Sequence, residues 1–245
     1  MTIKITTARL LIPLLTLPML SQAQAEESWE FEVTPYLWAA GMSGSTGPED
    51  LVADIDMSFS DVLENLDGGF ILHMQATKGQ WNTWFDYVRL DIAADGEVLI
   101  FDIDMGMSQT LAEAGVAYQL QATGPISLIG GLRYMNVDTN IKFKVPPIDG
   151  RRKVSFGDDW VDPFIGLRGN WEINDKWSIG ARGDVGGFGV GSDLTWAAQA
   201  AAKYQFGEKW SFKFGYRHMD FDYDDNGFVF DMAESGLLIG AGYQF

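Results

Sequence analysis

Leu237-Leu238-Ile239-Gly240-Ala241-Gly242-Tyr243-Gln244-Phe245, the stretch on which the chain ends, alternates between two unlike edges. Leu237, Ile239, Ala241, Tyr243 and Phe245 form a greasy edge that finishes in aromatics. Leu238, Gly240, Gly242 and Gln244 form an edge of mostly small residues. A period of two with different chemistry on each side is a β-strand between two environments. An aromatic strand tip suits a wall that meets lipid, where aromatic side chains settle at the interface. Gly240 and Gly242 leave room on the inner side for larger side chains from facing strands.

The other end of the chain points to the same compartment. Met1 to Arg9 carries Lys4 and Arg9 and no acid, and Leu10 to Leu20 is an apolar run. Ser21-Gln22-Ala23-Gln24-Ala25 then offers an A-x-A cleavage site, so residues 1–25 read as a secretory signal peptide. Glu26, where a lipoprotein would carry Cys, excludes a lipid anchor at that site. Residues 26–245 read as a single domain. No later run of about 20 apolar residues offers a membrane-spanning helix. The chain has no Cys, hence no disulfide framework. Its formal charge of −17 becomes about −19 once Lys4 and Arg9 are lost. Such an acidic chain is not expected to bind nucleic acid, because it could not neutralise phosphates.

The body of the chain has a rhythm. Lys78-Gly79-Gln80-Trp81, Thr123-Gly124-Pro125-Ile126, Asn174-Asp175-Lys176-Trp177 and Gly207-Glu208-Lys209-Trp210 are short turns, and three of them lead into Trp. Turn residues followed by an interfacial aromatic suit the inner rim of a membrane barrel. They divide the chain into about ten strands, with eight and twelve as alternatives. The expected fold is all-β: a closed, antiparallel, up-and-down transmembrane β-barrel with short periplasmic turns and longer outer loops. Trp210, Phe212, Phe214 and Tyr216 share one face and Ser211, Lys213, Gly215 and Arg217 the other. A soluble barrel would reverse these faces, with its apolar side inward. In the first outer loop, Asp61 reads as the N-cap of a short helix, with Glu64 three residues on and Gly68 as its stop.

With these faces, the inward acids are Glu30, Glu32, Asp86, Glu113, Glu172 and Asp184. The inward bases are Arg133, Arg168, Arg182, Lys203, Lys213 and Arg217. His73, Gln75, Gln199 and Tyr36 add polar groups. The signs nearly cancel, and in a narrow lumen such charges must pair. The expectation is a charge-networked, narrow interior, with a small passive channel as the alternative. Catalysis would need a His with an acid or Ser partner near the outer rim. His218 lies in Arg217-His218-Met219-Asp220, with Asp rather than Ser two residues on. No catalytic set is assigned, and an outer-membrane hydrolase is the remote alternative. Asp222-Tyr223-Asp224-Asp225-Asn226-Gly227 begins like a calcium loop, but Ala233 stands where the closing acid belongs, and Asp225-Asn226-Gly227 is equally a hairpin turn. No metal or cofactor is expected. Arg151-Arg152-Lys153 is a basic cluster that either meets lipid phosphates or is solvated.

Glu32-Val33-Thr34-Pro35-Tyr36-Leu37-Trp38, Ser60 to Leu66, Asp159-Trp160-Val161-Asp162-Pro163-Phe164 and Gly183 to Ser192 resemble a family of small, largely uncharacterised Gram-negative outer-membrane barrel proteins. In the broad sense these are OmpA-like and OmpW-like. The closing strand also resembles the sorting signal of such proteins, with Tyr243 and Phe245 as its aromatics. The resemblance implies fold and outer-membrane location, with no catalytic or ligand residues to transfer. It implies membrane lipid, lipopolysaccharide and the barrel-assembly machinery as partners. Oligomeric state is not legible. The expected role is structural or loop-mediated interaction rather than enzymatic.

Overall fold

The computed structural model describes residues 28–98, 101–144 and 151–245; the signal-peptide reading of residues 1–25 lies outside them. Ten long antiparallel strands form the wall: β1 (Glu30–Pro48), β3 (Leu66–Lys78), β4 (Trp81–Val98), β5 (Phe101–Gln119), β6 (Ile126–Lys144), β7 (Arg151–Glu172), β8 (Trp177–Gly187), β9 (Leu194–Gln205), β10 (Trp210–Asp225) and β11 (Phe228–Gln244). Each pairs with the next, and β11 closes on β1 from Glu32↔Gln244 to Pro48↔Phe228. The result is a closed up-and-down barrel in which β1 starts and β11 ends at the rim that carries the short turns.

The strands run further than their apolar outer faces alone would place them. On β10, Trp210, Phe212, Phe214 and Tyr216 point outward, then the same face continues as His218, Asp220, Asp222 and Asp224. The inner face reads Ser211, Lys213, Gly215 and Arg217, then Met219, Phe221 and Tyr223. The alternation never breaks, yet its chemistry inverts near Arg217. From the turn-bearing rim to about Tyr216 the barrel is apolar outside, as lipid demands. Beyond it, the barrel is polar outside and apolar inside, as water demands.

The outer half of the interior is accordingly filled. Trp38, Leu111, Met135, Trp160, Met219, Phe221, Phe230 and Met232 come from facing walls and belong to one buried cluster. Trp160 stacks on Tyr223 at 3.9 Å and 9° between ring planes. The β10–β11 hairpin that caps this region turns on Asn226 and Gly227, both at positive φ (54° and 77°). That is the geometry of a two-residue type I′ turn, which favours Asn-Gly. Residues 222–227 thus form a hairpin.

The wall is thinnest between β1 and β3, which pair only from Glu30↔Thr77 to Pro35↔Leu72. Beyond Pro35, a short strand β2 (Ala53–Met57) takes over the edge of β1 at Met42–Thr46. Helix α1 (Phe59–Glu64) follows. Its N-cap is Ser58 rather than Asp61, which is at the third helical position and closes the capping box; Asn65, not Gly68, ends it. Val62 of α1 is buried in the apolar cluster, while Phe59 and Leu63 are exposed. The segment patches the seam.

Candidate functional site

The turn-bearing half of the interior holds a chamber of about 890 Å³. Its mouth is edged by Gly79, Gln80, Gly124 and Pro125 of the short turns. Its floor is a belt of ion pairs at the level where the wall inverts. Strand alternation points the belt residues to the axis from β4, β5, β6, β8 and β10. Arg133 on β6 is fully buried and meets Glu113 of β5 at 2.6 Å and Asp184 of β8 at 2.7 Å. Arg182 reaches the same two carboxylates at 3.2 and 2.8 Å. Arg217 on β10 bridges Glu113 at 3.1 Å and Asp86 of β4 at 3.2 Å. Asp86 also accepts the Tyr36 hydroxyl at 2.8 Å and contacts His73 Nδ1 at 3.0 Å.

Burying these charges is tolerable only because each has several partners. Arg133 donates a further bond to the Thr195 hydroxyl at 3.0 Å. Aromatic faces cover the guanidinium groups: Arg133 and Arg182 lie 5.2 and 5.1 Å from the Phe164 ring centroid, and Arg217 lies 4.9 Å from Trp38. A second, smaller cluster sits nearer the mouth, where Glu32 receives Lys203 at 2.7 Å and Lys213 as well. Thr34 accepts from Lys213 at 3.0 Å. Gly240 and Gly242 do make room here: a Cβ on Gly240 would stand 2.8 Å from Tyr36 Cβ, and one on Gly242 2.5 Å from Ser211 Oγ.

Nine of the twelve expected lumen charges therefore enter ion-pair clusters, namely Glu32, Asp86, Glu113, Arg133, Arg182, Asp184, Lys203, Lys213 and Arg217. Three do not. Glu30 and Glu172 are exposed at the rim, where water solvates them and no pairing is forced. Glu30 accepts a bond from Gln244 at 3.3 Å. Arg168 faces the chamber with no ion-pair partner among the described residues, so the balance of signs does not hold there.

Two buried acids were not singled out by the sequence. Glu234 sits inside the apolar half, bonded to Gln109 across the barrel. Its inward phase, shared with Met232 and Leu238, was the available signal. Asp162 accepts the Ser192 hydroxyl at 2.5 Å, the Ser192 amide at 2.6 Å and the Trp160 indole at 3.2 Å. The stretches 159–164 and 183–192 therefore meet: the glycine-rich loop folds over Asp162, with Phe188 and Gly189 at positive φ (56° and 70°). A Cβ on Gly191 would stand 2.6 Å from Asp162 Oδ1.

At the rim, Phe245 stacks on Phe31 at 5.9 Å and lies 6.2 Å from Tyr243, whose ring is 4.8 Å from Trp210. The Phe245 amide donates to the Phe31 carbonyl at 3.1 Å. His218 lies outward with its ring 4.5 Å from Trp196, and no hydrogen bond joins it to Asp220 among the described residues. Lys153 of the basic cluster is exposed, and the side chains of Arg151 and Arg152 lie outside the described part.

The fold is that of the outer-membrane β-barrels. OmpT, an outer membrane protease of Escherichia coli, superposes with a TM-score of 0.57 at 8% identity, over 89% of this chain and 97% of that one. Ail, the attachment invasion locus protein of Yersinia pestis, matches at TM-score 0.42 and 14% identity, over 89% and 99%. The toluene transporter TodX of Pseudomonas putida matches at 0.33 and 9%, over 91% and 90%. No family model and no curated protein matches the chain, so the OmpA-like and OmpW-like label has no support here and the likeness to outer-membrane barrels is one of fold.

Proposed function

We propose that this is an integral outer-membrane barrel of a Gram-negative bacterium that does not conduct and that acts structurally, or through the strand extensions and loops at its far end. The packed outer half of the interior carries this reading. Phe221, Phe230, Met219 and Met232 are at most 1% exposed, and Arg133 beneath them is fully buried. On this reading these covered aromatic and aliphatic side chains are what close the interior to water at that level. On this reading the turn-bearing rim faces the periplasm, Tyr243 and Phe245 address the chain to the barrel-assembly machinery, and the apolar band meets lipid and lipopolysaccharide. The far end carries the interaction surface.

Planar-bilayer recording of the purified protein tests it. The expected result is silence at moderate voltage; sustained openings would overturn the closed reading. One observation favours a second reading, a passive channel for small solutes: the chamber already opens half of the route, and conduction would need only the outer half to move. Growth of a deletion strain on single solutes then separates the two, since a transport role predicts a solute-specific defect. We further propose that the protein is not an enzyme. Among the described residues His218 packs on Trp196 rather than pairing with an acid, and the Asp86 that His73 contacts is already engaged by Tyr36 and Arg217, so the purified protein should leave peptide and lipid-ester substrates intact.

A further inference from the structure

The chamber is lined by cations that the barrel does not neutralise locally. Arg168 on β7 lies directly across from Arg182 on β8, and Lys203 on β9 directly across from Lys213 on β10. Like charges placed opposite each other on a sheet repel, at a cost to stability. Arg182 is compensated by Glu113 and Asp184. The two lysines share a single carboxylate, Glu32. Arg168 has none among the described residues: its neighbours are the face of Trp84, 5.7 Å away, and Arg182 directly across the ladder.

Two N–H donors on this wall also lack an acceptor among the described residues. They are Arg168 Nε and Trp84 Nε1, both shielded from solvent. An unmet buried donor is costly, and a charged one more so. Trp84 is held in place by Gly115, where a Cβ would come within 2.3 Å of its ring. A guanidinium with no acid partner among the described residues and two ammonium groups sharing one acid thus line one chamber, of a size usual for small-molecule sites.

We propose that this chamber is a binding site for a small oxyanion, of the carboxylate or phosphate class, that enters through the turn-bearing rim. Arg168 is its main contact, and Lys203 and Lys213 supply supporting charge. A guanidinium presents a planar fork suited to two oxygens of such a group. The site does not depend on whether the barrel conducts: the chamber ends at the ion-pair belt, and binding from one side suffices.

The test uses the full mature protein folded in a zwitterionic detergent. Inorganic phosphate and succinate are titrated against chloride at equal ionic strength, while Trp fluorescence and the thermal midpoint are read. The expected result is a saturable response to at least one of the two probes, weakened roughly tenfold or more by Arg168→Gln, the loss of a charged hydrogen bond. Glu32→Gln frees both lysines and should tighten binding several-fold. This second variant keeps the test decisive if the first folds poorly. A wild-type response indistinguishable from chloride overturns the proposal. So does a response that neither substitution changes. Response to phosphate alone, or to succinate alone, supports it and names the class. Because bilayer conductance is read separately, failure here leaves the closed-barrel reading untouched, and the reverse also holds.

Discussion

The two halves of this barrel obey opposite rules while sharing the same strands. Near the turns, Trp210 to Tyr216 look outward and Lys213 and Arg217 inward; further along the same strand, Met219 to Tyr223 look inward and Asp220 to Asp224 outward. The first arrangement is a membrane barrel and the second is a water-soluble one. The chain needs no break between them, because a strand presents its two faces independently of what each face meets. What joins them is the belt of Arg133, Arg182 and Arg217 with Glu113, Asp184 and Asp86. Charged groups suffice at that level because every one of them is shared between at least two partners.

The comparison breaks most readily at the belt. Glu113→Ala would leave three arginines short of their common carboxylate. Stability should fall by about 5 kcal/mol, the upper end for removing one member of a buried network. The urea midpoint of the refolded protein in liposomes reads this, and a midpoint near wild type would show that the belt is not the joint. One step above it, Phe230→Ala tests the packed half. A loss of about 3–4 kcal/mol is expected for a buried aromatic. Combined with Met219→Ala, it should also introduce bilayer current where Glu113→Ala alone does not, because the apolar half is the seal. Current from Glu113→Ala alone would place the seal in the belt instead.

Deleting Phe245 addresses the turn-bearing rim. The Phe31 and Tyr243 rings lose a stacking partner, and the expected outcome is a several-fold drop in heat-modifiable barrel recovered from the outer membrane; wild-type recovery would show that the terminus has no part in assembly. The smallest effect is expected on the soluble-like outside. Burial, together with the carboxylates of Asp231, Asp193, Asp220 and Asp224, pushes the Asp222 carboxyl above its ordinary range. The folded protein therefore holds that proton more tightly than the unfolded chain. Stability gained by protonation is present when the pH is below that raised range and is lost as the pH rises through it. Asp222→Asn should raise neutral-pH stability by about 0.3 kcal/mol, small because the group is largely solvated. Asp158 behaves in the opposite sense. Burial would raise it, but bonds from the Tyr223 hydroxyl at 2.6 Å, the Asp159 amide at 2.9 Å and Asn226 at 3.1 Å outweigh that and hold it low. Its contribution is kept above the unfolded value and lost on acidification, so Tyr223→Phe should shift the acid limb of a pH–stability curve upward.

The wall was legible in the sequence because alternation and turn chemistry are local. Trp81, Trp177 and Trp210 after their turns set the register of three strands, and that fixes which side chains look inward. Most of the belt followed directly. What local pattern could not say was where along a strand the environment changes. Met219, Phe221 and Tyr223 are as apolar as Phe212 and Phe214, and only their phase, one residue out of step, tells that they belong to an inner core. Arg168 was placed on the correct face, but its lack of a carboxylate depends on which side chains face it from β4 and β8, a long-range fact. The helix start moved from Asp61 to Ser58 because an Asp three residues into a helix fits the reciprocal half of a capping box.

The short contact between β1 and β3 has a mechanical consequence. The last strand of the wall is fastened to the first along nearly the whole of β1, yet β3 holds β1 by Glu30 to Pro35 alone. A barrel pulled or heated should therefore unzip away from the β1–β11 seam, with β2 and α1 peeling back first. Amides on the β3-facing edge of Tyr36 to Gly41 should be the earliest in the wall to exchange with deuterium.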